Sequence, residues 1–145
     1  MRWAIAAALA TLLGTGGLRA QAPAASAAPN GGIKTVASNM DVMKTMTIPF
    51  SNAVFEAASE APKDDAAWET VRGQAVALAE AGNLLMLGSR AKDRAAWMKF
   101  SRAQVDAAEA VARAAAAKNA DQLSTAADAL YETCANCHKD YLPQK

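Results

Sequence analysis

The chain has 145 residues, enough for one domain and too few for two comfortable ones, and 52% hydrophobic with 20% charged residues excludes a disordered or fibrous chain. Its 15 Lys and Arg against 14 Asp and Glu give a formal charge of +1, without the basic excess that binding a phosphate backbone requires, which argues against a nucleic-acid partner. Two cysteines and one histidine exclude a zinc centre of four such ligands within one chain.

Met1-Arg2-Trp3 followed by the apolar run Ala4 to Leu13 has the form of a secretory signal peptide and is shorter than a membrane span. Cleavage is expected near Ala20, so that residues 1–20 are removed, with Ala25-Ser26-Ala27 as a second candidate site. Removal of Arg2 and Arg19 leaves 13 basic residues against 14 acidic. Residues 21–32, rich in Ala, Pro, Ser, Asn and Gly, read as a flexible leader, and residues 33–145 as the folded domain. Export predicts a periplasmic protein without a membrane span in its mature form.

Four helical stretches follow, with no strand. The first, from about Val36 to Ala61, carries Val36, Met40, Met43, Phe50, Val54 and Ala61 at steps of three, four or seven, and Pro49 predicts a kink within it. Pro62 ends it and Asp64-Asp65 caps the second, whose face runs Trp68, Val71, Ala75, Leu78, Gly82 and Leu85 up to a stop at Gly88. Asp93 caps the third, with Trp97, Phe100, Ala103, Ala107, Val111 and Ala114 on one side and an end near Lys118. Asn119 opens the fourth, which turns Leu123, Ala127, Leu130, Cys134, Cys137 and Tyr141 inward. Short connections between helices of matched length predict an all-α fold, an antiparallel up-down-up-down four-helix bundle. Trp68, Trp97, Phe50, Phe55, Phe100 and Tyr131 are expected to wall its core, and Gly82 to allow close approach of a neighbouring helix. The charged pair Lys92 and Asp93 reads as solvated surface.

Cys134-Ala135-Asn136-Cys137-His138 is C-x-x-C-H, the attachment sequence of a c-type haem, and it uses both cysteines and the only histidine. Thiols three residues apart on a helix lie on one side, so each can bond one vinyl edge of a single porphyrin while the adjacent imidazole of His138 meets the iron as proximal ligand. One covalently attached haem c is therefore the expected cofactor. A disulfide within this segment would close a very short loop and strain the helix, and a thioredoxin-type pair belongs after a strand at the opening of a helix rather than late within one. A helical module without haem would instead present two titratable or bonded cysteines and no colour.

A single C-x-x-C-H near the C-terminus of four predicted helices resembles the class II c-type cytochromes, the cytochrome c′ and cytochrome c-556 family, over about Ile33 to Tyr141. The family's C-x-x-C-H-x-x-Y pattern is matched by Cys134, Cys137, His138 and Tyr141, while Leu142 stands where a basic residue often follows. The resemblance implies two outcomes set by the sixth iron position. A methionine on the first helix gives an electron carrier, and a non-bonding residue there gives a five-coordinate haem that binds nitric oxide or carbon monoxide. Met40, Met43 and Met46 are the candidates, and Met43 matches the family's distal position best, ahead of Pro49 in Asp41-Val42-Met43-Lys44. A soft, neutral thioether favours ferrous iron and suits electron transfer, although methionine at helical spacing is also ordinary core packing. The function expected is that of a periplasmic monohaem cytochrome passing single electrons between redox partner proteins, not an enzyme. The resemblance also implies a homodimer packed through the first two helices.

Overall fold

The structure, a computed structural model, describes residues 33–142. The expected signal peptide, the leader and the last three residues of the expected domain lie outside them. Among the described residues every regular element is helical. They are α1 (Asn39–Val42), a π-helical segment (Met43–Thr47), α2 (Ile48–Ser59), α3 (Asp65–Leu85), a 3-10 turn (Gly88–Arg90), α4 (Ala96–Ala116) and α5 (Ala120–Tyr141). Four helices pack against one another, α3 on α4 and α4 on α5 most extensively, with α2 against α3 and α5. None of the helices among the described residues is long and apolar enough to cross a membrane.

Local sequence fixes the helix ends. Ser38 and Asp41 cap α1 reciprocally: the Ser38 hydroxyl accepts from the Asp41 amide at 3.1 Å and the Asp41 carboxylate accepts from the Ser38 amide at 2.9 Å. Asp64 caps α3 by accepting from the Ala67 amide at 2.8 Å, and Asn119 caps α5 by accepting from the Gln122 amide at 2.9 Å. After α3 the chain turns at Gly88, whose φ of 59° is a backbone conformation that glycine takes without strain.

The first helical stretch departs from its expected face. The helix starts at Asn39 and ends at Ser59, so Val36 stands 84% exposed and Ala61 lies exposed beyond the helix. The distortion expected at Pro49 takes the form of the π-helical segment, in which the Ile48 amide donates to the Met43 carbonyl five residues back. Proline has no N–H for the carbonyl of Thr45, and a widened turn immediately before it accommodates that loss. The extra residue changes the register. Val42 and Thr47, five apart, are both buried, and Ser51, Val54 and Ala57 continue inward at steps of three and four. Met40, expected to share the inward face, is 55% exposed.

Helix α3 follows the expected pattern without interruption, with Trp68, Val71, Ala75, Leu78, Gly82 and Leu85 all buried. Gly82 meets α4 closely. A Cβ at this position would stand 2.8 Å from Val105 Cγ2 and 3.2 Å from the Ser101 carbonyl oxygen, so a side chain here would force α4 or Val105 to shift. The main core joins Val54, Trp68, Val71, Leu78, Val111, Leu123 and Leu130. Complete burial of Leu78, Leu123 and Leu130 contributes about 2 to 3 kcal/mol each relative to exposure. Tyr131, expected to wall this core, is 59% exposed, its ring meeting that of Phe55 edge-to-face. It follows Leu130 on the helix, and one residue is a rotation of about 100°, enough to turn it off the buried stripe.

Candidate functional site

A second, smaller cluster closes one end of the molecule. Val42, Ala81, Leu85 and Trp97 are buried there, with Ala37, Met43, Met46, Leu84, Ala91, Met98 and Tyr141 packed around them. Every long segment except α2 contributes a residue, so this end depends on the mutual placement of α1, α3, α4 and the last turn of α5.

On α5 the buried stripe Leu123, Ala127 and Leu130 continues at helical steps into Cys134, Cys137 and Tyr141, each half-buried. His138 follows Cys137 and is exposed. Both cysteines are free. Burial pushes both thiols above their ordinary range, and the neighbouring Cys134 and the Asp140 carboxylate add to the rise at Cys137. Neutral, protonated thiols contrast with the low-pKa nucleophile of a C-x-x-C oxidoreductase.

Of the three candidate methionines, Met43 and Met46 are half-buried and join the cluster that contains Tyr141, whereas Met40 points to solvent. The π-helical turn accounts for the difference, because it brings two methionines three residues apart onto the side of the helix that meets α3. His138 is exposed and lies outside the cluster, so the structure gathers Met43 and Met46 with Tyr141 at the end of α5 but not with the imidazole. Thr47, in the same π-helical segment, is 6% exposed and its hydroxyl oxygen has no hydrogen-bond partner.

Two tethers hold this end, and neither is apparent from motif reading. The Tyr141 hydroxyl donates a hydrogen bond to Asp93 Oδ2, while Asp93 Oδ1 accepts from the amides of Ala95 at 2.9 Å and Trp97 at 3.2 Å. Asp93, expected to cap α4, lies two residues before its N-cap Ala95 and reaches into its first turn at the Trp97 amide; it is also the anchor for the last turn of α5, and is not merely solvated surface. These bonds, that from Tyr141 foremost, hold the Asp93 carboxyl below its ordinary range and push the Tyr141 hydroxyl up to about 12. Trp97 and Phe100 meet the Tyr141 ring edge-on, with centroids at 4.9 and 6.1 Å.

The second tether is Arg90, only 6% exposed. Its Nε donates to the Ala37 carbonyl at 2.8 Å and a terminal nitrogen to the Leu84 carbonyl at 3.2 Å, while Asn39 Nδ2 donates to the Arg90 carbonyl at 3.0 Å. The guanidinium thereby satisfies a carbonyl at the negative end of α3 and fixes the segment leading into α1. The Trp97 indole donates to the next carbonyl, that of Leu85, at 2.8 Å.

The donors present fit a haem better than a bare ion. Among the described residues no group of three or more His, Cys, Asp or Glu side chains is arranged to hold a metal ion. Two free thiols on one side of α5, an accessible imidazole next to them and half-buried thioethers at the same end are the groups a tethered porphyrin iron uses. No family model, characterised protein or solved structure matches the chain.

Proposed function

We propose that the protein is an exported, periplasmic monohaem c-type cytochrome, an antiparallel up-down-up-down four-helix bundle that carries single electrons. The observation that supports this most is the use of both cysteines and the only histidine in C-x-x-C-H, on the helix whose end packs beside Met43 and Met46. Cys134 and Cys137 would bond the porphyrin, His138 would bind iron and Met43 would be the sixth ligand. Haem c bound here would supply a one-electron ferric–ferrous couple.

The chain's own residues then have defined tasks. Thioethers formed by Cys134 and Cys137 would retain the group whatever its oxidation state. The Asp93–Tyr141 bond fixes the turn of α5 that carries His138, and Arg90 fixes the start of the helix that carries the methionines. Trp97, Met98 and Leu85 exclude water from that end and lower its dielectric response.

A second reading, a five-coordinate haem that binds nitric oxide or carbon monoxide, draws on the buried, unpartnered Thr47 hydroxyl, a donor that a small polar ligand would satisfy. Expression with haem-attachment machinery tests the haem common to both readings, and a low-spin spectrum without a carbon monoxide response separates the first from the second. A covalent haem mass that disappears in Cys134→Ala/Cys137→Ala supports the proposal, and unmodified wild-type polypeptide refutes it.

A further inference from the structure

The charged side chains are segregated along the molecule. Around the smaller cluster, the segments 37–47, 84–100 and 137–142 carry six basic residues, Lys44, Arg90, Lys92, Arg94, Lys99 and Lys139, against three acidic ones, Asp41, Asp93 and Asp140. The other described residues carry eleven acidic against six basic. Five of these six cations are exposed, and Arg90 is buried. Elsewhere four of the six basic groups are neutralised in place, Lys63 by Glu60, Arg72 by Glu69, Arg113 by Glu109 and Lys118 by Asp65, with Lys34 and Arg102 as the exceptions. Among the described residues Lys44, Lys92, Arg94 and Lys99 are in no ion pair. Two of the three acids at this end are engaged locally, Asp41 in the cap of α1 and Asp93 with Tyr141.

We propose that this basic end is the docking surface for a carboxylate-rich patch on a redox partner protein, which it steers toward the edge of the site. The proposal rests on the haem reading for the redox role of the partner, and on charge alone for its acidity. Unpaired cations lose no intramolecular ion pair when a partner's carboxylates approach, and a local field of one sign raises association rates even where the net charge is small. A protein suits the surface better than an anionic membrane. The cations come from three separate segments and alternate with carboxylates, whereas lipid-binding polybasic regions present a run or one helix face of a single sign.

The test uses the full-length, haem-loaded protein and hexacyanoferrate(III) as an anionic electron acceptor. One electron leaves the reduced protein and hexacyanoferrate(II) forms. The described residues are net negative, so repulsion from the whole molecule would make the rate rise with salt; attraction to the basic end makes it fall. Lys92→Glu/Lys99→Glu should slow the low-salt rate about tenfold or more, with the difference vanishing at high salt, while Lys63→Glu leaves it within about twofold. A rate that rises with salt, or equal effects of the two variants, overturns the proposal.

Titration with poly-L-glutamate, read by amide chemical shifts, needs no haem and should perturb residues near Lys44, Lys92, Arg94 and Lys99. Cosedimentation with phosphatidylglycerol vesicles without any response to poly-L-glutamate would overturn it in favour of a lipid surface. A colourless protein would refute the haem reading, and poly-L-glutamate titration would then decide the acidic-partner surface by itself.

Discussion

Gly82 gives a prediction whose sign is set by two opposing effects. Alanine at a helix interior is favoured over glycine by about 0.8 to 1.0 kcal/mol, so Gly82→Ala would stabilise the protein if nothing stood in the way. The added Cβ would instead lie 2.8 Å from Val105 Cγ2 and 3.2 Å from the Ser101 carbonyl oxygen. Comfortable carbon–carbon contact begins near ~3.5 Å, so Val105 would have to retreat by roughly 0.7 Å. A valine in a helix has one strongly preferred rotamer, and the Ser101 carbonyl belongs to the backbone of α4, so neither neighbour yields cheaply. Overpacking of this kind costs about 1 to 3 kcal/mol, which leaves a net loss of about 1 kcal/mol.

Gly73 lies on the same helix with nothing within 4 Å of an added Cβ, and Gly73→Ala should therefore gain the full propensity term of about 1 kcal/mol. The two variants should separate by about 2 kcal/mol in denaturant unfolding measured at equal haem occupancy, with Tm moving in opposite directions by about 4 °C each. Adding Val105→Ala to Gly82→Ala should recover part of the loss by removing the obstructing methyl. Equal stabilisation by Gly82→Ala and Gly73→Ala would refute the close approach of α3 and α4.

Met43→Ala is expected to convert a low-spin haem to high-spin and open it to carbon monoxide, seen in the absorption spectrum, whereas Met40→Ala, at an exposed position, should change neither. Arg90→Met should destabilise the fold by on the order of 2 kcal/mol, because the Ala37 and Leu84 carbonyls lose their charged donor, and amide hydrogen exchange should rise in residues 37–47 before it rises in α4. Tyr141→Phe should lower Tm at neutral pH. Tyr141 has a raised folded pKa of about 12, so its contribution is complete below its ordinary value near 10 and is lost as pH climbs through 12. Asp93 has a depressed one, so its contribution is complete above the ordinary carboxylate range and is lost as pH falls through the folded value. The difference in Tm between wild type and Tyr141→Phe should therefore be flat from about pH 5 to 9 and shrink at both extremes.

The parts legible in the sequence are those governed by short-range rules. Helix α3 runs uninterrupted from its Asp64 cap, and its apolar stripe from Trp68 to Leu85 needed only the 3.6-residue period. The first stretch obeys the same period on either side of a π-helical turn, but the turn adds a residue, and a reading that assumes one continuous helix places Met40 inward and overlooks Thr47. Arg90 in Gly-Ser-Arg reads as surface; its burial depends on carbonyls 6 and 53 residues away. Asp93 is recognisable as a cap, while its bond to Tyr141 spans 48 residues and has no local signature. The C-x-x-C-H spacing is entirely local, so it is visible in the sequence without any knowledge of the fold. The choice among Met40, Met43 and Met46 turns on long-range packing.

The central claim is a covalent haem whose iron takes His138 and Met43. Absorption spectra of the purified full chain, oxidised and reduced, with and without carbon monoxide, test it most directly. The account predicts a coloured protein with sharp low-spin bands on reduction and no response to carbon monoxide. A broad high-spin spectrum that shifts with carbon monoxide would contradict methionine ligation, and a colourless protein would contradict the haem itself.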